Sequence, residues 1–435
     1  MMNLSIPFLI ALLTGGFIFG AIYKKNPWKD ALGILISFWL GLAGCAMVVF
    51  YSILITNRYE SLNVVIAIFI FIIFCCLLCY YRQGRPFLCY QGLGKIPWFQ
   101  FFLLILVAGV LMHGYSYHKL YGEWDGWSLW NFRARYLVLA QTHWRDVYTY
   151  GLHAKHPWLL PYWIIFGWAW LGEQSYFVPF LSAQIFSLIV LATVFFSVLH
   201  LTKNGNVSLL AAIWLASISR FWELSISQCA DVLVASLIVL NIMLLIRLCQ
   251  QKTRADAVTL GLMLGVLSFC KDEGIVSASL IIVLLILLLR KCKNLYFPFC
   301  LALGLTLVPT LFDKYWMLPA PPGENTVYFL HIIEWKRWVY IIEYFMTDLS
   351  RTHYGEVWII PLCLLVSRLL KPFNEKDRLM AGFLMMFIIV FFFLYVIVSD
   401  HLHWRLWTTS DRLVFQILPL GIVFLFYRLF GTTSK

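Results

Sequence analysis

The sequence predicts an all-α, polytopic transmembrane helical bundle, and three observations carry that prediction. Apolar runs of about 20 residues, each enough to cross ~30 Å of hydrocarbon, recur along the whole length. Only 12% of the 435 residues are charged, where a soluble domain carries about 25%. The mean hydropathy is +0.81, with 62% hydrophobic residues, which excludes an ordinary soluble globular domain. The net charge of +12 does not call for nucleic acid, because Lys and Arg beside the spans account for most of it. The cysteines sit almost entirely inside apolar runs (Cys75, Cys76, Cys79, Cys270, Cys300) and show neither a disulfide framework nor a zinc spacing.

Apolar segments at about 4–23, 31–55, 62–81 and 97–119 form the first four predicted spans. The first shows no small-residue cleavage site and more spans follow, so it reads as a span and not a signal sequence. Lys24, Lys25 and Lys29 crowd one connection, and Arg82, Arg85 and Lys95 crowd the connection two crossings later. The positive-inside rule therefore puts 24–30 and 82–96 in the cytoplasm and 120–160 outside. Further spans at about 175–199, 207–226, 231–249, 257–270, 274–290, 295–313, 356–371, 379–399 and 412–430 keep the alternation. Lys203, Arg247, Lys252, Arg254, Arg290, Lys291, Lys293, Lys371, Lys376 and Arg378 all fall inside. Counting 156–171 as a crossing would invert every later loop, so it reads as a helix dipping into the outer leaflet. The expectation is about thirteen crossings, with the N-terminus outside and the C-terminus inside. The chain divides into N-terminal extra helices (1–96), a transmembrane core with outer loop 120–174 (97–313), and an outer loop with C-terminal helices (314–435).

This alternation collects ionisable groups at one face. Eight histidines (His118, His143, His153, His156, His331, His353, His401, His403) fall on the outer side, where a transporter would place polar groups near the midplane. The first long polar interruption, Glu123 to Pro161, is an amphipathic juxtamembrane stretch. Its Trp124, Trp127 and Trp130 are spaced three apart, which on a helix gives an aromatic stripe in the interface plane, with Arg133 and Arg135 at headgroup level. Asp125, just after a span, is a candidate general base for a hydroxyl or amine nucleophile. Its bland role is an N-cap or a partner of the helix dipole. Lys155-His156-Pro157 opens the dipping helix, where a cation beside free amides suits a phosphate and snorkelling is the alternative.

Asp231 begins a span, where an acid at an N-terminus is often a cap. Lys271-Asp272-Glu273-Gly274 separates two apolar runs with no room for a loop, and three ionisable groups there are costly unless paired or used. Lys271 is thus a candidate phosphate ligand supported by Glu273. Near the end, Arg405 and Arg412 are further phosphate candidates, with His403 and Asp411 supporting them. His401 and His403 have a metal-ligand character, but no third and fourth ligands are identifiable. No metal site is assigned and no cofactor is certain; use of a divalent cation stays open.

An acid after an early span, followed by a His-Pro turn opening an apolar helix, resembles the glycosyltransferase C-fold superfamily, which includes protein mannosyltransferases and aminoarabinose transferases of lipid A. Ala230-Asp231 is similar to that superfamily's second outer-loop acid. Phe269-Cys270-Lys271-Asp272-Glu273-Gly274 resembles its Lys-x-Glu-Gly turn. Trp404-Arg405-Leu406-Trp407-Thr408-Thr409-Ser410-Asp411-Arg412-Leu413 is similar to a Trp-His-Leu…Thr-Ser…Asp-Arg-Leu signature of its bacterial members. The resemblance spans about 97–413; Arg405 stands where that signature has His, and His156-Pro157-Trp158 where the family has His-Pro-Pro. It implies a polyprenyl-phosphate sugar donor attacked at the anomeric carbon, with inversion, by a lipid, glycan or protein acceptor at the outer leaflet, in a bacterial inner membrane with the site facing the periplasm. A flippase of lipid-linked sugars and a membrane polysaccharide polymerase or ligase are the alternatives. Convergence of Asp125, Asp231 and Lys271 in one outward cavity is what separates the first reading from these.

Overall fold

The structure, a computed structural model, describes residues 2–24, 31–83, 97–116, 120–150, 156–288, 293–316, 329–352, 360, 363–364, 367–368, 372–397 and 401–431. Lys155, His118, His153, His353 and most of the predicted 356–371 span lie outside the described residues. Every regular element among the described residues is helical. Hydrocarbon offers backbone groups no partner, and a helix satisfies them within its own segment.

In chain order the helices are α1 (Met2–Tyr23), α2 (Ala31–Thr56), α3 (Ser61–Gln83), α4 (Trp98–Ser116), α5 (Phe132–Leu139), α6 (Val147–Tyr150), α7 (Leu159–Leu171), α8 (Phe177–Thr202) and α9 (Gly205–Ser217). They continue with α10 (Ser219–Ile226), α11 (Asp231–Gln251), α12 (Arg254–Cys270), α13 (Asp272–Leu288), α14 (Tyr296–Leu311), α15 (Trp335–Thr352), α16 (Glu375–Ile397) and α17 (Leu402–Phe430). Eight helical segments among the described residues are long and apolar enough to cross a membrane, and α9 with α10 adds a ninth bent by 72°. The chain is an integral, multi-pass membrane protein. α12 and α13 have 17 residues each, about 25 Å of rise, and meet at a single non-helical residue, Lys271.

α11 is the axis of the bundle, buried at every position from Asp231 to Cys249 and enclosed by α8, α12, α13 and α17. α1 and α2 pack backbone to backbone through small residues: a Cβ on Gly15 would lie 1.6 Å from the Ser37 carbonyl oxygen, and one on Gly41 1.7 Å from that of Ala11. α7, expected to dip into lipid, is instead an internal helix. Its 13 residues rise about 20 Å, too short to cross, and Leu159 to Ala169 are all buried against α2, α3 and α8.

Segments that the charge pattern puts on one side also meet in space. Tyr23 donates to Asp256 (2.9 Å) and Gln100 to Asn206 (3.2 Å) at the end assigned to the cytoplasm. At the opposite end, hereafter the outer end, Trp144 donates to Asn57 (3.3 Å) and the acids of α11 and the first outer loop meet α17.

Candidate active site

The site is built on the outer ends of α11, α13 and α17, closed on one side by the loop before α5. Gly126–Asn131 is a short π-helix that runs directly into α5. It lies so close to the turn before α11 that a Cβ on Gly126 would fall 2.2 Å from the Ser227 carbonyl oxygen. The Glu123 amide bonds that same oxygen (3.2 Å), and the Asn131 amide bonds the Gln228 side chain (2.7 Å). Asp125 is thereby fixed against α17.

Asp125 caps nothing; its carboxylate pairs with the guanidinium of Arg412 while remaining one-third exposed. Asp231, at the first position of α11, is fully buried and is not a cap either. One carboxylate oxygen accepts from Lys271 Nζ (2.8 Å) and Gln416 Nε2 (2.7 Å), the other from Arg412 Nη2 (2.7 Å) and Nε (3.0 Å). Lys271 Nζ also reaches Glu273 (3.0 Å). Burial works against the Lys271 ammonium, but the Asp231 and Glu273 carboxylates outweigh it and hold its pKa above the usual lysine value. Beside this cluster Arg220 of α10 pairs with Asp411 and with Glu223 (2.6 Å). Two buried acceptors, Glu273 Oε2 and Gln416 Oε1, have no hydrogen-bond donor among the described residues.

The turn at 271–273 has a second side. Asp272 takes His156 Nδ1 (2.9 Å) and pairs with Lys314, which follows α14. The His156 ring lies over Trp130, and Arg133 sits between the rings of Trp130 and Trp158 (5.7 and 5.1 Å). Arg133 is therefore buried and does not reach the headgroup level expected of it, whereas Arg135 is exposed. Burial pushes the Arg133 guanidinium down to about 10, so it is still protonated at neutral pH. Behind it Tyr148 donates to Asp313 (2.8 Å) and contacts Tyr162 (3.3 Å). The aromatic stripe splits in the same way: Trp124 and Trp127 face outward and touch each other edge to face, while Trp130 is buried.

Of the sequence candidates, Asp125, Asp231, Lys271, Glu273 and Arg412 converge, His156 and Asp411 lie beside them, and Lys155 is outside the described residues. Arg405 stands two turns, about 10.5 Å, outward of Arg412 and on the same face of α17. His403 is exposed and faces Tyr340 of α15, away from the cluster. Among the described residues no three His, Cys, Asp or Glu side chains are placed to hold a metal ion. Arg220, Gln416 and Lys314 carry no sequence cue beyond being polar groups toward the ends of apolar runs, and Arg133 and Tyr148 none beyond lying in the polar 120–160 stretch.

An apolar cavity of about 820 Å³ lies between α15, α16 and α17. Leu413, next to Arg412, and Tyr395 line it toward the cluster, and Arg368 and Arg378 line it at the far end. No family model matches this chain, and no curated protein is significantly similar to it.

Proposed function

We propose that the protein is a membrane glycosyltransferase of the glycosyltransferase C-fold type, moving a sugar from a polyprenyl-phosphate donor to a lipid, glycan or protein acceptor at the outer leaflet of a bacterial inner membrane. The observation that carries this reading is the meeting of Asp125, Asp231, Lys271 and Arg412, brought from four separate segments to one outer face. The acceptor hydroxyl or amine attacks the anomeric carbon and gives its proton to Asp125. The bond from that carbon to the phosphate oxygen breaks with inversion, and the lipid phosphate leaves with the electron pair. The transition state has oxocarbenium character, which neighbouring carboxylates stabilise.

Three further features support it. Sugar hydroxyls are donors, and Glu273 Oε2 and Gln416 Oε1 are acceptors that lack one among the described residues. The cavity beside Leu413 gives an apolar tail a place next to the charges. A flippase needs a polar path inward, whereas between Asp231 and Arg247 the axis helix carries two polar residues, Ser236 and Asn241, each bonded to neighbours: Ser236 to Thr193 (2.9 Å) and the Asn241 amide to the Leu237 and Met263 carbonyls (2.8 and 3.3 Å). The test is turnover of purified protein with a polyprenyl-phosphate sugar and Asp125→Asn beside wild type. The expected loss is roughly 10²–10⁴, the usual worth of a general base. Near-wild-type turnover would remove Asp125 from the chemistry.

A further inference from the structure

We infer that the phosphate of the ligand is held on the Lys314–His156 side of the 271–273 turn, and that Lys271 and Arg412 are not its ligands. The inference rests on the glycosyl-transfer reading for the identity of the ligand, but on charge geometry for its position. On the Asp231 side the three cations of the cluster are each engaged twice by carboxylates: Lys271 by Asp231 and Glu273, Arg412 by Asp125 and Asp231, Arg220 by Asp411 and Glu223. Three cations there face five carboxylates. A phosphate entering that side would meet an excess of negative charge and would have to break ion pairs that are largely out of water.

The other side carries no such excess of carboxylates. Asp272 alone takes both Lys314 and His156, and Arg133 stands behind, its Nη1 reaching the His156 carbonyl (3.5 Å). The remaining carboxyl, Asp313, is buried behind the cluster and receives a hydrogen bond from the Tyr148 phenol. The Lys314 and His156 side chains keep 23% and 25% of their exposure, so both can be reached by a ligand. Charge-assisted contacts from a lysine and an imidazole suit a phosphate monoester or diester.

The division also fits the reaction. Asp272 is the chain neighbour of both Lys271 and Glu273, with Cα atoms 3.8 Å apart. Leaving phosphate and working carboxylates thus fall on opposite sides of one turn, which the bound sugar would straddle. Positive charge developing on the sugar faces the acid-rich side, and negative charge developing on the phosphate faces Lys314.

The test is binding of a polyprenyl monophosphate, phosphatidylglycerol and inorganic phosphate to the full-length protein in nanodiscs, with folding checked by thermal melting. Lys314→Gln should weaken polyprenyl monophosphate at least tenfold, and Lys314→Gln combined with Asp272→Asn should remain weak, which rules out repulsion from an orphaned Asp272. Lys271→Met, or Glu273→Gln if that variant does not fold, should stay within about twofold of wild type. A tenfold loss in Lys271→Met with Lys314→Gln unchanged overturns the inference. Parallel losses with phosphatidylglycerol or inorganic phosphate identify a general lipid phosphate or the bare phosphate group as what is recognised, and leave the site in place. If Lys314→Gln loses binding but no donor ever supports sugar transfer, the glycosyltransferase reading fails and the anion site stands. If transfer occurs and Lys314→Gln leaves it unchanged, this inference fails and that reading stands.

Discussion

At the scale of single residues, the two acids of the cluster do different work because their burial differs. Asp231 is fully buried and holds two cations, so Asp231→Asn leaves Lys271 and Arg412 without a shared counter-charge. We expect a loss of about 3–5 kcal/mol in stability, as for other broken buried pairs. Asp125→Asn, at a site one-third exposed, should cost far less stability; denaturation of both variants in one detergent checks the order. Lys271 sets a pH dependence. Its folded pKa is raised above 10.5, so its contribution is complete below that pH and is lost as pH climbs through the folded value. The melting temperature of wild type should therefore stay flat on this account up to about pH 10 and fall beyond it, and Lys271→Met should blunt that fall. An ionisable group at the edge of an apolar run stands out in a sequence, which is why Asp231 and Lys271 were legible, and Asp125 stood out as the acid that follows a span. Their pairing was not, because Arg412 is 287 positions from Asp125. Lys314 and Gln416 were invisible because a single polar residue at a span's end has the same appearance whether it holds a substrate or a headgroup.

At the scale of elements, the site depends on how tightly the loop before α5 sits on the turn before α11. Gly126 makes that approach possible, since any Cβ there would press on the Ser227 carbonyl at 2.2 Å. Gly126→Ala should push the loop away, separate Asp125 from Arg412 and lower turnover at least tenfold, with Asp125 itself intact and the helical content by circular dichroism unchanged. A fully active Gly126→Ala protein would show that Asp125 need not be held on α17. The spans were legible element by element because hydrocarbon forces the helix and its length is printed in the apolar run. α7 was read less well. Its 13 residues are as apolar as a lipid-facing helix, and apolarity alone does not distinguish a helix buried among helices from one lying in lipid.

At the scale of the whole molecule, the Lys/Arg distribution and the helix packing describe the same two ends. Cysteines placed at Tyr150, Glu334 and His403 should be labelled from outside, and ones at Lys203, Lys252 and Lys376 should not, on a variant cleared of native cysteines. Labelling at 252 but not at 334 would invert the molecule and put the cluster in the cytoplasm. An acid-rich lobe and a cation-bearing lobe share one turn, the division on which the proposed sugar transfer rests. The most direct measurement is mass spectrometry of outer-surface glycolipids and glycans in a strain lacking the protein, complemented with wild type or with Asp125→Asn. A species bearing one added sugar should vanish on deletion, return with wild type and stay absent with Asp125→Asn. Identical profiles in all three strains would contradict the assignment of sugar transfer to this chain.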